Sequence, residues 1–388
     1  MAYADDVSRR RFLQVTSGAA LTAALPGTIG AFPAGEVEWR NKQGGMTYRR
    51  LGRTGMMLSE VVMGNSNVAP GNIRHAEVAI ERGLNYIDTA ANYANGQNEL
   101  GWGEFLGGSS AKRMKVFINT KVSTYGTTRA NRWQEIYEKL TATQKAEIDQ
   151  EVEKRLANTN VFNVDYIVDY NGPGQGNTIR PAYLADAIEK RFPNLIDRKG
   201  YGDYIINSVE GSLKRLGTDH VDLVMCPHGA NSPDEMNQPE MFETFYKLKK
   251  EGKVRHFGVS AHNDPATMVY NAARSGIYEV AMPAYNFVNA KYFTEAFKAA
   301  KEADLGIVVM KGAKGVNGVP GHPPLNQDAV KRLHEVIPGD LHVAVKGYLW
   351  ILQQEVVTAV NSSMPEMAMV EQNLTELPGK KISLPAKG

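Results

Sequence analysis

The sequence predicts an α/β fold, a parallel (β/α)8 barrel of the TIM type, and three observations carry that prediction. Short apolar segments bounded by small or polar residues recur along the chain and indicate buried strands. Segments with the spacing of amphipathic helices alternate with these strands. Several strands end on a polar side chain, at the edge where barrels of this type keep their chemistry. The alternating order favours a closed parallel barrel over an open sheet.

The bounds of each predicted element follow from where its pattern stops. Strands are predicted at residues 61–64, 84–89, 116–120, 221–227, a run ending at 260, 280–286, 306–310 and 356–360. Helices are predicted at residues 74–83, 141–156, 181–190, from 208 onward, 242–252, 265–275, 292–303, 329–335 and 344–353. Gly52 and Gly55 separate two short extended runs ahead of the first strand, and this spacing predicts a hairpin.

Charge and cysteine content exclude several classes of protein. The 388 residues carry 44 basic and 42 acidic side chains, a net charge of +2, so no nucleic-acid partner is predicted. Cys226 is the only cysteine, which excludes an internal disulfide and a cysteine-bound iron–sulfur cluster. Its position inside an apolar strand indicates a core thiol, with a catalytic thiol as the alternative. No metal site and no permanent membrane span are predicted.

Residues 1–35 have the organisation of a signal peptide. The sequence Ser-Arg-Arg-Arg-Phe-Leu-Gln at residues 8–14 resembles the twin-arginine export signal, without its usual final lysine. A mildly apolar segment at 15–25 and small residues up to 34 follow it, and the apolar part is too short to span a bilayer. We therefore expect the twin-arginine machinery as a partner and a periplasmic location. A basic N-terminal arm is the alternative.

The barrel domain is predicted at residues 46–377, with a C-terminal tail at 378–388 and an insertion of about residues 125–203 after the third strand. Thr141 and Gln144 form a capping-box pattern at the start of a predicted helix, and residues 171–177 are predicted to form a loop. Four tyrosines are expected to add aromatic surface: Tyr166, Tyr170, Tyr201 and Tyr204. A loop that follows a barrel strand lies on the active-site face, so the insertion is expected to be a lid that shapes the substrate site. An oligomer contact or a peripheral decoration is the alternative.

Four polar residues stand at the ends of three predicted strands. Asp88 ends the second strand, Tyr93 follows five residues later, Lys121 ends the third strand and His228 ends the fourth. Their order and strand context resemble the aldo-keto reductases, whose catalytic Asp, Tyr, Lys and His occur in this order, and the LGRTG segment at 51–55 resembles the hairpin that plugs the barrel bottom in that family. Taken singly, Asp88 could cap a turn, Lys121 could be a surface residue and His228 a core histidine.

The resemblance implies a proton relay. A free tyrosine has a pKa near 10, and a neighbouring ammonium lowers it because it favours the phenolate. Asp88 is therefore expected to hold Lys121, Lys121 to tune Tyr93, and Tyr93 to pass the proton. His228 is expected to orient the carbonyl oxygen with a second hydrogen bond, and a nicotinamide supplies the hydride.

The resemblance is uneven where the cofactor, NADP(H) or NAD(H), is expected. Ala261 stands where the family has an Asn that holds the carboxamide, Met282 stands where it has a Gln, and Met364 cannot pair with a 2′-phosphate, which weakens the case for NADP. The backbone of residues 312–315 could hold the pyrophosphate. The residues implied at the cofactor site are Gly64, Asn65, Ser260, Tyr285, Asn286, Met310, Lys311, Gly312, Ala313, Gly315, Ser362, Met364, Gln372 and Asn373.

The expected function is a nicotinamide-dependent oxidoreductase that interconverts a carbonyl and an alcohol, with sugars as one candidate substrate class and Tyr93 as general acid and base. Since free nicotinamide nucleotide is scarce outside the cytoplasm, an exported enzyme would need a tightly held cofactor that is recycled between two substrates. Two alternatives stay open: a non-catalytic binding or regulatory barrel, and a sugar lyase or isomerase that uses the same tyrosine.

Overall fold

A computed structural model of the chain describes residues 35–65, 67–170, 174–195, 199–317 and 326–382. Of the predicted signal peptide only Gly35 falls among these residues, so that prediction lies outside the described chain. The same holds for residues 171–173 of the predicted insertion loop and for residues 383–388 of the predicted tail.

Eight parallel strands close into a barrel, which confirms the predicted fold class. Three other strands precede them in the chain, so the barrel strands are β4 to β11: Val61–Met63, Tyr86–Asp88, Phe117–Lys121, Val221–His228, Val254–Ala261, Val280–Pro283, Gly306–Val309 and Ala359–Ser362. The barrel closes between its last and first strands, where Val360 pairs with Val61 and Ser362 with Met63. The chemistry-bearing strand ends therefore share one face of the molecule.

Two strand predictions need correction. The last strand was expected at 356–360 but is Ala359–Ser362, because Val357 donates its amide to Gln354 in a turn and ladder pairing begins only at Ala359, opposite Val308. The sixth barrel strand ends at Pro283 rather than at residue 286. An isolated bridge from Ala284 to Met310 extends it by one residue. Apolar residues stand just before the last strand, at Val356 and Val357, and just after the sixth, at Ala284 and Tyr285, so hydropathy alone could not locate these ends.

The predicted hairpin is confirmed and lies against the N-terminal end of the barrel. Strands β2 (Tyr48–Arg50) and β3 (Met56–Ser59) pair antiparallel around a 3-10 turn at Gly52–Thr54. The unpredicted β1 (Glu38–Trp39) adds to β3 in parallel. Gly52 has φ 46°, and a Cβ there would lie 2.3 Å from the backbone nitrogen of Gly306. Only glycine allows the hairpin to approach the barrel this closely.

Helices surround the barrel, and their observed bounds are Arg74–Glu81, Gln97–Leu106, Ser110–Arg113, Tyr125–Glu138, Ala142–Leu156, Arg180–Arg191, Lys199–Leu216, Pro239–Lys250, Pro265–Ser275, Thr294–Glu302, Lys314–Asn317, Gln327–Val336, Val343–Leu352 and Met367–Glu376. The helix predicted from residue 208 begins nine residues earlier, at Lys199.

Cys226 is fully buried, as predicted for a core thiol. In the part of the chain that is described, no helix has the length and apolar character needed to cross a bilayer.

The insertion after β6 consists of helices that pack against the active-site face. The capping box of Thr141 and Gln144 is present at its second helix, as the sequence predicts. The expected aromatic surface is wrong, because Tyr166, Tyr170 and Tyr201 are buried. Tyr166 donates its hydroxyl hydrogen to Asp264, which follows β8, and Tyr170 accepts a hydrogen bond from the Asn286 side chain beyond β9. The tyrosines thus fix the insertion to the barrel mouth instead of facing solvent.

Candidate active site

Lys121 is the centre of the polar cluster at the barrel mouth. Its Nζ lies 2.7 Å from Oδ1 of Asp88 and donates to the hydroxyl of Tyr93 over 3.1 Å. A further hydrogen bond of 2.8 Å goes to the carbonyl oxygen of Thr89. The ammonium therefore has as many acceptors as protons, and its position between the carboxylate and the phenol is fixed. The structure brings three of the four predicted catalytic residues into direct contact.

Tyr93 reaches Lys121 because of the turn that follows β5. Tyr93 is the first residue of a 3-10 turn, Tyr93–Gly96, in which Ala94 and Asn95 have φ angles of 47° and 53°. The turn that precedes Tyr93 is closed by its amide, which donates to the carbonyl oxygen of Ala90 over 3.1 Å, and the phenol meets Lys121 at the end of the neighbouring strand β6. Sequence spacing placed Tyr93 near the strand end but gave no sign of this turn.

Asp88 is held by two asparagines that sequence reasoning missed. Asn119 donates to Oδ1 over 2.5 Å, and Asn361 donates to Oδ2 over 2.8 Å. Asn119 stands two residues before Lys121 and so faces the barrel interior with it. That spacing is the signal by which Asn119 could have been found. Gly64 leaves room for the Asn361 side chain, because a Cβ at position 64 would lie 2.5 Å from Oδ1 of Asn361.

Burial and neighbouring charges shift the pKa values of Lys121 and Tyr93 in opposite directions. Burial lowers the pKa of Lys121, but Asp88 and Tyr93 raise it more, so the pKa lies above its ordinary value. Burial raises the pKa of Tyr93, and the Lys121 ammonium offsets this only in part. The expectation of a phenol with a lowered pKa therefore needs correction. Lys121 lowers the pKa of Tyr93 as expected, but burial raises it by more, so Tyr93 is protonated at neutral pH.

His228 lies edge-on to the phenol, with its ring centroid 5.8 Å from that of Tyr93. Its Nδ1 shares a hydrogen bond of 3.2 Å with Oγ of Ser123, which follows β6. Burial and the nearby Lys121 ammonium hold the pKa of His228 well below its usual value. The side chain is therefore a neutral imidazole beside the hydroxyl of the relay.

A cavity of about 490 Å³ opens beside Asp88 and Tyr93 and extends towards the C-terminal helix of the barrel. This volume is within the range of small-molecule and cofactor sites. Eight of the residues predicted for the cofactor line it: Gly64, Asn65, Met310, Lys311, Ala313, Ser362, Gln372 and Asn373. Catalytic and cofactor candidates from distant parts of the sequence therefore share one cavity.

The other predicted cofactor residues do not line this cavity. The hydroxyl of Ser260 accepts the amide hydrogen of Gly229, and Asn286 caps the turn after β9 through the amides of Val288 and Asn289. The ring of Tyr285 packs against Phe293, Phe297 and Trp350. Met364 is fully buried in the apolar core, so its side chain gives no information about a 2′-phosphate.

Two glycines of the predicted phosphate loop serve close packing. A Cβ at Gly312 would lie 2.7 Å from Ile351, and one at Gly315 would lie 2.6 Å from Oδ1 of Asn286. Neither residue lines the cavity. The loop therefore does not offer the backbone of these two glycines to a ligand. It presents positive charge to the cavity through Lys311 and Lys314.

Several cavity residues were not foreseen: His262, Lys314, Asn317, His342, Tyr348 and Asn361. Burial lowers the pKa of Lys311 and of Lys314. In the described ranges neither ammonium has a hydrogen bond or an ion pair with a side chain, and the one carboxylate on the cavity wall, Asp88, is paired with Lys121. The described cavity therefore favours an anionic ligand.

The described residues contain no cluster of His, Cys, Asp or Glu that could hold a metal ion.

Comparison with known proteins identifies the family. The profile of the Aldo/keto reductase family matches residues 55–170 and 195–316, together more than half of the chain. The chain is 23% identical over 362 residues to the uncharacterized oxidoreductase YqkF of Bacillus subtilis, covering 87% of this chain and 93% of that protein. It is also 23% identical over 226 residues to the aldo-keto reductase AMT2 of Alternaria alternata, covering 55% and 49%.

Solved structures agree with this assignment at the level of the fold. The holo form of aldo-keto reductase AKR11C1 from Bacillus halodurans matches with a TM-score of 0.57 and 22% identity, over 87% of this chain and 93% of that one. An aldo-keto reductase from Klebsiella pneumoniae in complex with NADPH matches with a TM-score of 0.52 and 16% identity, over 86% and 89%. The chain belongs to the aldo/keto reductase family and is, as a member of it, an oxidoreductase.

Proposed function

We propose that the protein interconverts a carbonyl compound and an alcohol with NADP(H) or NAD(H), and that Tyr93 is its general acid and base. The observation that carries this proposal is the Lys121 ammonium, held 2.7 Å from Asp88 and 3.1 Å from the Tyr93 hydroxyl at the cavity wall. An ammonium in this position stabilises the phenolate, which is what a phenol that gives and takes a proton requires.

The residues of the cavity fit a nicotinamide dinucleotide. Lys311 and Lys314 supply two positive charges for its phosphates without a competing described carboxylate. Gln372 and Asn373 stand further along the same wall and would contact the adenosine part. When bound, the nicotinamide supplies the hydride to the carbonyl carbon. One of the structural neighbours is described in complex with NADPH, which supports a cofactor of this class.

The protein side of the reaction is the movement of one proton. Tyr93 gives its hydroxyl proton to the carbonyl oxygen in the reductive direction and takes it back in the oxidative direction. The raised pKa of Tyr93 keeps that proton in place at neutral pH, and Lys121 stabilises the phenolate that forms. His228, neutral and 5.8 Å away between ring centroids, stands where it can contact the same oxygen.

The insertion supports a restricted substrate site. At its C-terminal boundary the hydroxyl of Tyr204 donates to the carbonyl oxygen of Ser123 over 2.6 Å, and Ser123 in turn contacts His228. Tyr170 reaches the wall formed by Met282 and Met310 inside the barrel mouth. These contacts favour a role in shaping the site over a role as a peripheral decoration. We propose that the insertion selects the substrate.

The same proposal includes export with a retained cofactor. The twin-arginine pattern at residues 8–14 favours transport of the folded protein to the periplasm, where two substrates, such as sugars, would oxidise and reduce one bound nucleotide in turn. Replacement of Arg9 and Arg10 by lysine is expected to keep the precursor inside the cell. Secretion of that variant at the normal level would contradict export by this route.

The test of function begins with the mature protein purified without added nucleotide. The protein is denatured, the released small molecules are identified by absorbance and mass, and the native protein is titrated with NADPH and with NADH. A released or bound dinucleotide, together with its oxidation by a panel of aldehydes, ketones and sugars, supports the proposal and decides between NADP and NAD. Failure to bind either nucleotide would contradict it and would favour a non-catalytic binding barrel.

A further inference from the structure

The imidazole of His228 has one ring nitrogen bound to the protein and one that is left for a ligand. Among the described residues, the only hydrogen bond of the ring joins Nδ1 to Oγ of Ser123 over 3.2 Å. The side chain is partly exposed at the barrel mouth and lies edge-on to the phenol of Tyr93. Nε2 is therefore the nitrogen that a bound substrate reaches. Whether Nε2 donates or accepts a hydrogen bond depends on which nitrogen carries the proton.

The hydroxyl of Ser123 decides which nitrogen that is. Ser123 stands two residues after Lys121, where ladder pairing continues because Val122 donates its amide to Met225 over 2.9 Å. Ser123 is 6% exposed, and its hydroxyl donates to Oδ1 of Asn92 over 3.0 Å. A serine hydroxyl has one hydrogen to donate. Towards His228 the hydroxyl therefore acts as an acceptor.

The tautomer of His228 follows from this arrangement. Nδ1 must carry a hydrogen in order to donate to Ser123, since the only hydrogen of that hydroxyl points at Asn92. Burial and the Lys121 ammonium hold the pKa of His228 well below its usual value, so the ring has only one N–H group at neutral pH. Nε2 therefore presents a lone pair to the barrel mouth.

Two contacts hold Ser123 in this position. Asn92 is exposed, so its NH2 group reaches water while its carbonyl oxygen points inward to the serine hydroxyl. The backbone of Ser123 is held from the other side, because the hydroxyl of Tyr204 donates to its carbonyl oxygen over 2.6 Å. Neither Asn92 nor Ser123 needs to touch the substrate. Both are positioning residues that act through His228.

We propose that the substrate carries a hydroxyl group on the carbon next to its carbonyl group, and that Nε2 of His228 accepts a hydrogen bond from that hydroxyl. A nitrogen lone pair repels a carbonyl oxygen but binds an O–H group. A hydroxy ketone or hydroxy aldehyde holds its two oxygens side by side, so its carbonyl oxygen can face the Tyr93 hydroxyl while its own hydroxyl faces the imidazole. His228 then binds the substrate as an acceptor and not as the donor that the sequence suggests. This inference rests on the proposed function and names its substrate class.

The tautomer is measured by NMR of the folded protein with nitrogen-15 in its histidine rings. Protonated and unprotonated ring nitrogens resonate far apart, and the signals of His228 are identified by their absence in His228→Gln. At mildly alkaline pH we expect the wild type to be protonated on Nδ1. Asn92→Asp, whose carboxylate only accepts, should keep that tautomer. Asn92→Ala frees the serine hydrogen to reach Nδ1 and should produce the form protonated on Nε2. A wild-type ring protonated on Nε2 would overturn the proposal.

Turnover tests the substrate class with hydroxyacetone and methoxyacetone. Both ketones have an oxygen on the carbon next to the carbonyl, but only that of hydroxyacetone carries a hydrogen. The wild type should favour hydroxyacetone in kcat/KM by about tenfold, the value of one hydrogen bond. Ser123→Ala and Asn92→Ala should lose most of this preference, and Asn92→Asp should keep it. Equal kcat/KM values in the wild type, or an unchanged preference in Ser123→Ala, would overturn the proposal.

The two measurements fail in different ways. A wild type that binds no nucleotide and reduces neither ketone would contradict the proposed function. The NMR measurement needs no turnover, so in that case the tautomer of His228 would still support or overturn the acceptor role of Nε2.

Discussion

Asn361 donates a hydrogen bond of 2.8 Å to Oδ2 of Asp88, and this contact links the last strand of the barrel to the second. The other carboxylate oxygen receives Lys121 and Asn119. Both oxygens of Asp88 are therefore occupied by three donors from two other strands, β6 and β11. The position of the carboxylate, and through it that of the Lys121 ammonium, depends on barrel closure as much as on the local sequence.

Replacement of Asn361 by leucine tests this dependence. A hydrogen bond to a charged group contributes about 1.5–3 kcal/mol, so we expect kcat at saturating nucleotide to fall roughly 10- to 100-fold. The control is Asn85→Ala, which removes a buried asparagine that holds Ser59 and the hairpin at the other end of the barrel. This control should lower the free energy of unfolding without changing kcat. An unchanged kcat in Asn361→Leu would show that Asp88 does not need this donor.

The pH dependence of the reductive reaction should follow Tyr93 and not His228. The pKa of His228 lies well below its usual value and that of Tyr93 above it, so kcat should be flat between about pH 6 and pH 8 and should fall only at higher pH, when Tyr93 loses its proton. Lys121 lowers the pKa of Tyr93. Its removal should therefore move the alkaline limb to higher pH as it reduces the rate.

Removal of Lys121 alone would leave Asp88 as an uncompensated buried charge, so the measurement uses the double variant Asp88→Asn with Lys121→Met. Its folding is checked by circular dichroism against Asp88→Asn alone. An alkaline limb at the same pH as in the wild type would contradict the assignment of that limb to Tyr93.

Glu235 gives the folded state a pH dependence of its own. It is fully buried beneath the insertion and accepts the amide hydrogen of Asn231 over 3.0 Å, and burial raises its pKa to about 7 despite the opposing effect of Arg129. Because the folded-state pKa is raised, the contribution of this group to stability is complete below about pH 4.5 and is lost as the pH rises to about 7.

Glu235→Gln copies the protonated form at every pH. We expect it to match the wild type at pH 5 and to exceed its free energy of unfolding at pH 8 by up to about 3 kcal/mol, as measured by urea denaturation. The control, Glu243→Gln on the exposed face of the helix Pro239–Lys250, should show no difference between the two pH values. A variant that is less stable than the wild type at pH 8 would show that the Glu235 carboxylate is stabilising.

The sequence predicted the barrel and the four polar residues at strand ends because both depend on local patterns. Alternating apolar runs define strands, and Asp88, Lys121 and His228 each end one of them. The capping box at Thr141 was readable for the same reason, since its two partners are three residues apart.

Contacts between distant strands could not be predicted in this way. Asn361 meets Asp88 only because the barrel closes, and the two are 273 positions apart in the chain. The tyrosines of the insertion were expected on the surface because nothing nearby in the sequence shows that Tyr166 meets Asp264. The sequence also could not show which side chains of the predicted cofactor region face the cavity and which face the core. Met364 occupies the expected position in sequence but is buried in the core.

The central claim, that the Tyr93 hydroxyl transfers the proton, is tested most directly by Tyr93→Phe. The matched control is Tyr86→Phe, because the Tyr86 hydroxyl is buried in the same barrel without a hydrogen-bond partner among the described residues. Steady-state reduction and nucleotide binding are measured for both. We predict a loss of roughly 10²- to 10⁴-fold in kcat for Tyr93→Phe with unchanged nucleotide affinity, and near-normal kcat for Tyr86→Phe. A Tyr93→Phe variant that keeps kcat within about threefold of the wild type would contradict the role assigned to Tyr93.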